Sequence, residues 1–114
     1  MRYCLGLLFA LFLTACATPS YLYYGNSSHS YYRAVKKQDE KSVSHYKASL
    51  ENVFKRSENV GKPVPPGLYC DYAMLLLAEN RTEEARIYFQ KEKQTWSEAQ
   101  QLIDFLMLRY KLGN

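Results

Sequence analysis

The chain has 114 residues, of which 47% are hydrophobic and 23% are charged, and its formal net charge is +4. This length allows one small domain, and the hydrophobic fraction excludes a disordered polyelectrolyte. Three cysteines exclude a dense disulfide scaffold, and basic residues spread from Arg33 to Lys111 exclude the clustered face of a nucleic-acid-binding protein.

The first residues carry the features of an export signal. Arg2 is followed by an apolar run of nine residues from Leu5 to Leu13. Such a run is too short to cross a hydrocarbon layer of about 30 Å. It is typical of the hydrophobic region of an export signal. We therefore predict a signal peptide over residues 1–15.

The end of this segment, Leu13-Thr14-Ala15-Cys16, resembles the lipobox of bacterial lipoproteins. In that family a peptidase cuts before the cysteine, after a diacylglyceryl group has been attached to its sulfur. The resemblance implies that Cys16 carries a covalent lipid, with fatty acids such as palmitate, and several acyl chains anchor a protein stably. An ordinary secretory signal with a chance cysteine at the cleavage point is the alternative.

The residue after the cysteine bears on which membrane holds the protein. The lipoprotein resemblance implies that Asp at this position favours the inner membrane in enteric bacteria, and the residue here is Ala17. We therefore expect the outer membrane, with the protein facing the periplasm, and the inner membrane is the alternative. After processing, Cys70 would be the sole free thiol, so no intramolecular disulfide is expected.

Residues 16–29 form a short tether that is rich in tyrosine. The four linker residues 17–20 reach at most about 14 Å, so the domain should lie close to the bilayer. Tyr21, Tyr23 and Tyr24 combine an apolar ring with a polar tip, which makes them candidates for an interfacial or protein-binding surface. The alternative is that this segment packs along the helices and fills their grooves.

Over residues 30–114 the spacing of apolar residues predicts an all-α domain of about four to five helices in antiparallel hairpins. A short helix is expected near residues 30–37. A longer helix is expected from Asp39 to Val60, with Gly61 as its C-terminal cap. Its apolar face recurs at helical spacing: Val43, Tyr46, Leu50, Val53 and Phe54.

The remaining helices follow a proline-rich break at residues 63–67. Pro66 is expected near the first turn of a third helix, which runs to about Glu79, is apolar all round, and should be buried between its neighbours. Thr82 is expected to be the N-cap of a fourth helix, and Ser97 the N-cap of a fifth. The apolar stripe of the fourth helix contains Ala85, Tyr88, Phe89 and Trp96.

The span from Tyr69 to Ser97 resembles a tetratricopeptide repeat, although Ala73 stands where the signature has glycine. A second repeat 43 residues earlier fits less well, because Arg33 falls at the place of Leu76. An unrelated helical hairpin with the same pattern is the alternative. The residues at repeat positions are Tyr69, Tyr72, Ala73, Leu76, Asn80, Ala85 and Phe89.

The whole mature layout resembles a family of small bacterial outer-membrane lipoproteins of unknown function. Besides the lipobox it shares Tyr-Tyr-Gly-Asn (residues 23–26), Val-Pro-Pro-Gly-Leu-Tyr (residues 64–69) and Ala-x-x-x-Phe-x-x-Glu-Lys (residues 85–93). The resemblance implies a tetratricopeptide-like helical fold. It also implies proximity to other envelope lipoproteins, because members are often encoded beside them. No catalytic residues come with the family.

The residues themselves also argue against an enzyme. His29 and His45 lack the close helical pairing of a zinc site, and no glycine-rich phosphate loop or nucleophile elbow occurs. We expect no catalytic residue, no metal, no cofactor beyond the lipid and no small-molecule substrate. We expect instead a non-catalytic module that binds another envelope protein. The alternative is a purely structural lipoprotein that contacts peptidoglycan or itself.

The last helix supplies the main candidate for a binding surface. Leu102, Ile103, Leu106 and Tyr110 form the stripe expected to face the core. A second stripe, Phe105, Leu108 and Leu112, is turned away from it and is the candidate site for a partner or a second copy of the chain. The alternative is that the aromatic N-terminal segment folds back and covers this second stripe.

Overall fold

The computed structural model describes residues 22–113, and every regular element in that range is helical, without a β-strand. None of these helices is long and apolar enough to cross a membrane. The predicted signal peptide, Cys16 and Tyr21 lie outside the described residues. The five α-helices of the described range are α1 Ser27–Lys37, α2 Glu40–Asn59, α3 Leu68–Ala78, α4 Thr82–Thr95 and α5 Gln100–Arg109.

The helices pack mainly in the order in which they follow one another. The two most extensive contacts are those of α1 with α2 and of α3 with α4, whereas α5 packs on α4. Only residues 38–39 connect α1 to α2, and only residues 79–81 connect α3 to α4. Helices joined by so few residues must run in opposite directions to stay in contact. The domain therefore consists of two helical hairpins and a final helix.

The first helix begins at Ser27, earlier than the predicted residue 30. Ser27 and Ser30 turn their hydroxyls to the preceding turn, donating to the carbonyls of Tyr24 at 2.7 Å and Asn26 at 3.0 Å. The same carbonyls also accept from the backbone N–H groups of these serines, at 3.2 and 3.1 Å, so the bonds give the two buried hydroxyls a local partner within the helix. The inward face of α1 consists of Ser27, Ser30 and Ala34, whose small side chains let its backbone approach α2 closely.

The predicted ends of α2 are confirmed. The Asp39 carboxylate accepts a hydrogen bond of 2.6 Å from the Ser42 backbone N–H, which caps the helix. At the other end Gly61 has φ of +66°, and the Lys62 N–H donates to the Ser57 carbonyl at 2.9 Å. This is the bond pattern of a Schellman motif, which requires a left-handed residue at the position of Gly61.

Two predicted N-caps of the later helices are wrong. The N-cap of α4 is Arg81 instead of Thr82. The turn at Asn80 (φ +60°) lets the Arg81 N–H donate to the end of α3, and the Arg81 carbonyl accepts the first hydrogen bond of α4 from the N–H of Ala85. Ser97 begins a 3-10 turn, Ser97–Ala99, and its side chain caps nothing. Pro66 lies near the first turn of α3, as predicted, because it directly precedes the N-cap Gly67, which has φ of +90°.

One continuous core joins the two hairpins and α5. The third helix contributes only its inward side, since Tyr72, Ala73 and Leu76 are its buried residues and most of the others are half-buried. Helix α3 therefore lies against both α2 and α4, as predicted, but it is only partly buried, and among the described residues its outward positions are half-buried or exposed. The fully buried residues of the core are Leu50, Val53, Ala73, Leu76, Ala85, Phe89 and Ile103.

Candidate functional site

The outward side of α5 carries three exposed large apolar residues. Leu108 is 80% exposed and Phe105 58% exposed, as the second stripe of the sequence predicts. Leu102 is 55% exposed, although the sequence placed it in the core. These three residues are spaced three apart on α5 and share one side of it. They are called the α5 face below.

Leu112, the third residue of the predicted stripe, does not belong to this face, because it is 7% exposed. The chain turns after Tyr110: Lys111 has φ of +55°, and the Leu112 N–H donates to the Met107 carbonyl at 2.9 Å. In such a terminal motif the residue after the turn folds back onto the last turn of the helix. Helical spacing therefore could not predict the position of Leu112.

The inward side of α5 also differs from the prediction. Ile103 and Met107 are buried and Leu106 is half-buried, whereas Leu102 and Tyr110 are exposed. The buried side of α5 therefore lies about one residue further along the helix than the apolar pattern alone indicated, and half of the apolar side chains of α5 are exposed.

Grooves border the α5 face on two sides. One has a volume of about 290 Å³ and is lined by Leu102 together with Cys70 and Trp96. The other, of about 390 Å³, is lined by Leu108, Met107 and Lys111. An apolar ridge beside shallow grooves is a shape that an interdigitating partner surface can cover.

The tyrosines of the tether do not join the α5 face. Tyr24 is exposed and Tyr23 is half-buried, with its ring beside Gly25. Both precede α1, which packs on α2, whereas α5 packs on α4. The described part of the tether thus leaves Phe105 and Leu108 exposed, and the N-terminal and C-terminal candidates are two separate surfaces.

An aromatic cluster lies between the two hairpins, and the sequence pattern did not predict it. Phe54 of α2 contacts the rings of Tyr69 and Tyr72 of α3, with centroid distances of 4.8 and 5.3 Å. Tyr88 of α4 lies 4.6 Å from the Tyr72 ring, and the Lys91 ammonium lies 4.6 Å from the centroid of Tyr88. The sequence assigned these residues to separate helix stripes, and only the folded hairpins bring them together.

Two buried tyrosine hydroxyls connect the hairpins. Tyr46 donates to Asp71 Oδ2 at 2.6 Å, and Tyr72 donates to Glu51 Oε1 at 2.7 Å. Desolvation, followed by these carboxylates, raises the pKa of both hydroxyls well above its ordinary value. They therefore act as fixed hydrogen-bond donors between α2 and α3, and not as proton-transfer groups.

A buried carboxylate holds the proline-rich segment against α4. Glu92 accepts backbone hydrogen bonds from Gly67 at 2.6 Å and from Cys70 at 3.4 Å, so it caps the start of α3 from another helix. Four residues later, the Trp96 indole N–H donates to the Val64 carbonyl at 2.8 Å. Residues 64–69 and 85–93, two of the segments on which the family resemblance of the sequence rests, are thus in direct contact.

Cys70 and the two histidines, the other candidate reactive groups among the described residues, lie apart on three helices. Burial is the main cause that raises the pKa of the Cys70 thiol to about 11, which keeps it protonated at neutral pH. Within the described range no group of three or more His, Cys, Asp or Glu side chains could hold a metal ion. His29 and His45 lie on different helices, α1 and α2.

Comparisons with known proteins identify a family but no characterised relative. No curated protein matches the chain, and no solved structure matches it. The match to a known family extends over residues 21–106 and so includes α1 to α4 and most of α5. The chain therefore belongs to the family described as a domain of unknown function, DUF4810.

Proposed function

We propose that this protein is an outer-membrane lipoprotein that binds another envelope protein and acts as a non-catalytic assembly accessory. In this proposal Cys16 carries the lipid, residues 1–15 are removed, and the helical domain faces the periplasm. The support for the anchor is the lipobox Leu13-Thr14-Ala15-Cys16 after a short apolar run. The support for a binding role is the exposed apolar α5 face of the helical domain.

The tetratricopeptide-like part of the proposal has support from the arrangement of α3, α4 and α5. Helix α3 begins at Leu68 and α5 at Gln100, a spacing close to the repeat period of about 34 residues. Four of the residues at repeat positions are fully buried: Ala73, Leu76, Ala85 and Phe89. In such an array α5 would stand where a following repeat begins.

The single observation that carries the binding proposal is the α5 face. In a repeat array, a helix side that no neighbouring repeat covers is polar. Here the outer side of the last helix bears Leu102, Phe105 and Leu108, all more than half exposed. Clustered apolar side chains of this kind mark protein interaction sites, with a bulky aromatic residue as anchor.

A double variant tests this proposal directly. Phe105→Asp with Leu108→Asp should abolish the co-purification of a specific envelope protein after chemical crosslinking in intact cells. Both side chains point into solvent, so the variant should keep the helical content and the melting temperature of the parent protein. Circular dichroism of both proteins checks that the domain stays folded.

Ile87→Asp provides a matched control, because Ile87 is also an exposed apolar residue and lies on α4. It should retain the crosslinked partner. If the double variant and Ile87→Asp capture the same proteins in the same amounts, the α5 face is not the binding surface. If the parent protein captures only cell-wall fragments or copies of itself, the structural alternative replaces the accessory role.

A further inference from the structure

The first helix has an inverted distribution of side chains. Its inward side consists of Ser27, Ser30 and Ala34. Tyr31 packs its ring against Tyr46 of α2 at a centroid distance of 5.4 Å, but the other large apolar residues lie on the opposite side, where Tyr32 is 58% exposed and Val35 is 53% exposed. A helix that packs only on its own domain normally buries its larger apolar residues. The exposed residues Tyr32, Val35 and Lys36, spaced as one helical side, are called the outer α1 face below.

Cations flank this face. Lys36 belongs to the face, whereas Arg33 and Lys37 line the neighbouring groove between α1 and α2 and help to lower the pKa of Asp39 there. Among the described residues none of the three cations forms an ion pair. The Lys36 ammonium lies 5.7 Å from the centroid of the Tyr32 ring, so cation and ring occupy the same side of the helix. A side that combines tyrosine, an aliphatic residue and lysine or arginine is the composition of helices that lie at a bilayer surface.

The length of the tether favours the same occupant. Tyr24 accepts the first hydrogen bonds of α1, and it follows Cys16 by only eight residues, which reach at most about 28 Å when fully extended. The start of α1 therefore stays close to any bilayer that holds a lipid on Cys16. The α5 face differs from the outer α1 face in composition and in its distance from Cys16 along the chain, because it contains no tyrosine and lies far from the tether in the sequence.

We propose that the outer α1 face lies on the bilayer that holds the lipid of Cys16, and that Arg33, Lys36 and Lys37 bind anionic phospholipid headgroups. This inference rests on the lipid anchor of the proposed function. Contact at the lipid and contact at α1 together would fix the orientation of the domain on the membrane, with the α5 face left free for a protein partner.

Photocrosslinking in the lipidated full chain tests the proposal. Benzoylphenylalanine is introduced at Tyr32 in one variant and at Ile87 in another, and both are irradiated in intact bacterial envelopes. Tyr32 should give phospholipid adducts, detected by mass spectrometry of the peptide, and Ile87 should not. Protein adducts at Tyr32, no adduct there, or equal phospholipid adducts at both positions would each overturn the proposal.

The cations are tested by changing Arg33, Lys36 and Lys37 to Gln together. A single cation at an anionic bilayer surface changes binding about fivefold, so the triple variant should lose most of the phospholipid adduct at Tyr32. An unchanged yield would overturn the headgroup contacts. Fatty-acid labelling of Cys16 in the same samples separates the two proposals: labelled protein without adduct refutes only the α1 contact, and unlabelled protein refutes the anchor and the α1 contact with it.

Discussion

The contact of Glu92 with the start of α3 makes a sharp prediction about stability. Replacing Glu92 with Ala removes the acceptor for the backbone N–H groups of Gly67 and Cys70, which lie 2.6 and 3.4 Å from its carboxylate oxygens. The start of α3 then has no side-chain cap, because Gly67 at its N-cap has no side chain to supply one. The Glu92→Ala variant should therefore be destabilised, although Glu92 is far along the chain from the helix that it caps.

The magnitude follows from the two bonds and from the burial of the carboxylate. A hydrogen bond to a charged group contributes about 1.5–3 kcal/mol, and the short bond from Gly67 falls in this class. The bond from Cys70 is at the limit of hydrogen-bond geometry and adds less. For the charged form, desolvation of the buried carboxylate outweighs these bonds and raises the pKa of Glu92, so the loss rests on the two backbone N–H groups that Glu92→Ala leaves without an acceptor. We expect a loss of about 2–3 kcal/mol, which corresponds to a fall in melting temperature of about 10 °C or more for a domain of this size.

Urea unfolding followed by circular dichroism measures this loss. Glu98→Ala is the matched control, since Glu98 is an exposed acid in the 3-10 turn. The control should change the free energy of unfolding by less than about 0.5 kcal/mol. If Glu92→Ala has an equally small effect, the cap does not stabilise α3 and the reasoning is wrong.

Three further predictions concern pH, the core and the thiol. Burial raises the pKa of Glu92, so the protonated side chain favours the folded state, and this stabilisation is lost as the pH rises through the raised pKa. Urea unfolding of the wild type should therefore show a gain in stability relative to Glu92→Gln when the pH falls from about 8 to about 4.5, and a constant difference would contradict this. Leu76→Ala and Phe89→Ala should each cost about 2–5 kcal/mol in denaturant unfolding, because both are fully buried, and losses below about 1 kcal/mol would show that the core assignment is wrong. Cys70 should react slowly with a thiol reagent at neutral pH in the native protein and rapidly in urea, because its pKa is about 11 when folded, and equal rates would contradict this.

The helical class and most helix positions could be predicted because they depend on local features. The apolar repeat of α2, the acid at Asp39 and the glycine at Gly61 act within a few residues of one another, and the structure places the cap and the terminal motif there. The α5 face was predicted in part for the same reason, since Phe105 and Leu108 follow helical spacing on one side of a helix.

The features that could not be predicted depend on left-handed residues or on contacts between distant segments. Lys111 reverses the chain and buries Leu112, although a lysine carries no sequence signal for that conformation. Asn80 similarly shortens the turn and moves the N-cap from Thr82 to Arg81. The role of Glu92 depends on a segment 25 residues earlier in the chain, which no local pattern could indicate.

The most direct test of the whole account is whether Cys16 carries a lipid, because the proposed location, the orientation of α1 and the class of partner all depend on it. Cells that express the protein are labelled with an alkyne analogue of palmitate, and the wild type is compared with Cys16→Ala. The account predicts labelled, shortened wild-type protein in the outer-membrane fraction, and an unlabelled precursor for the variant. Equal labelling of the two proteins, or an unlabelled wild type, would contradict it.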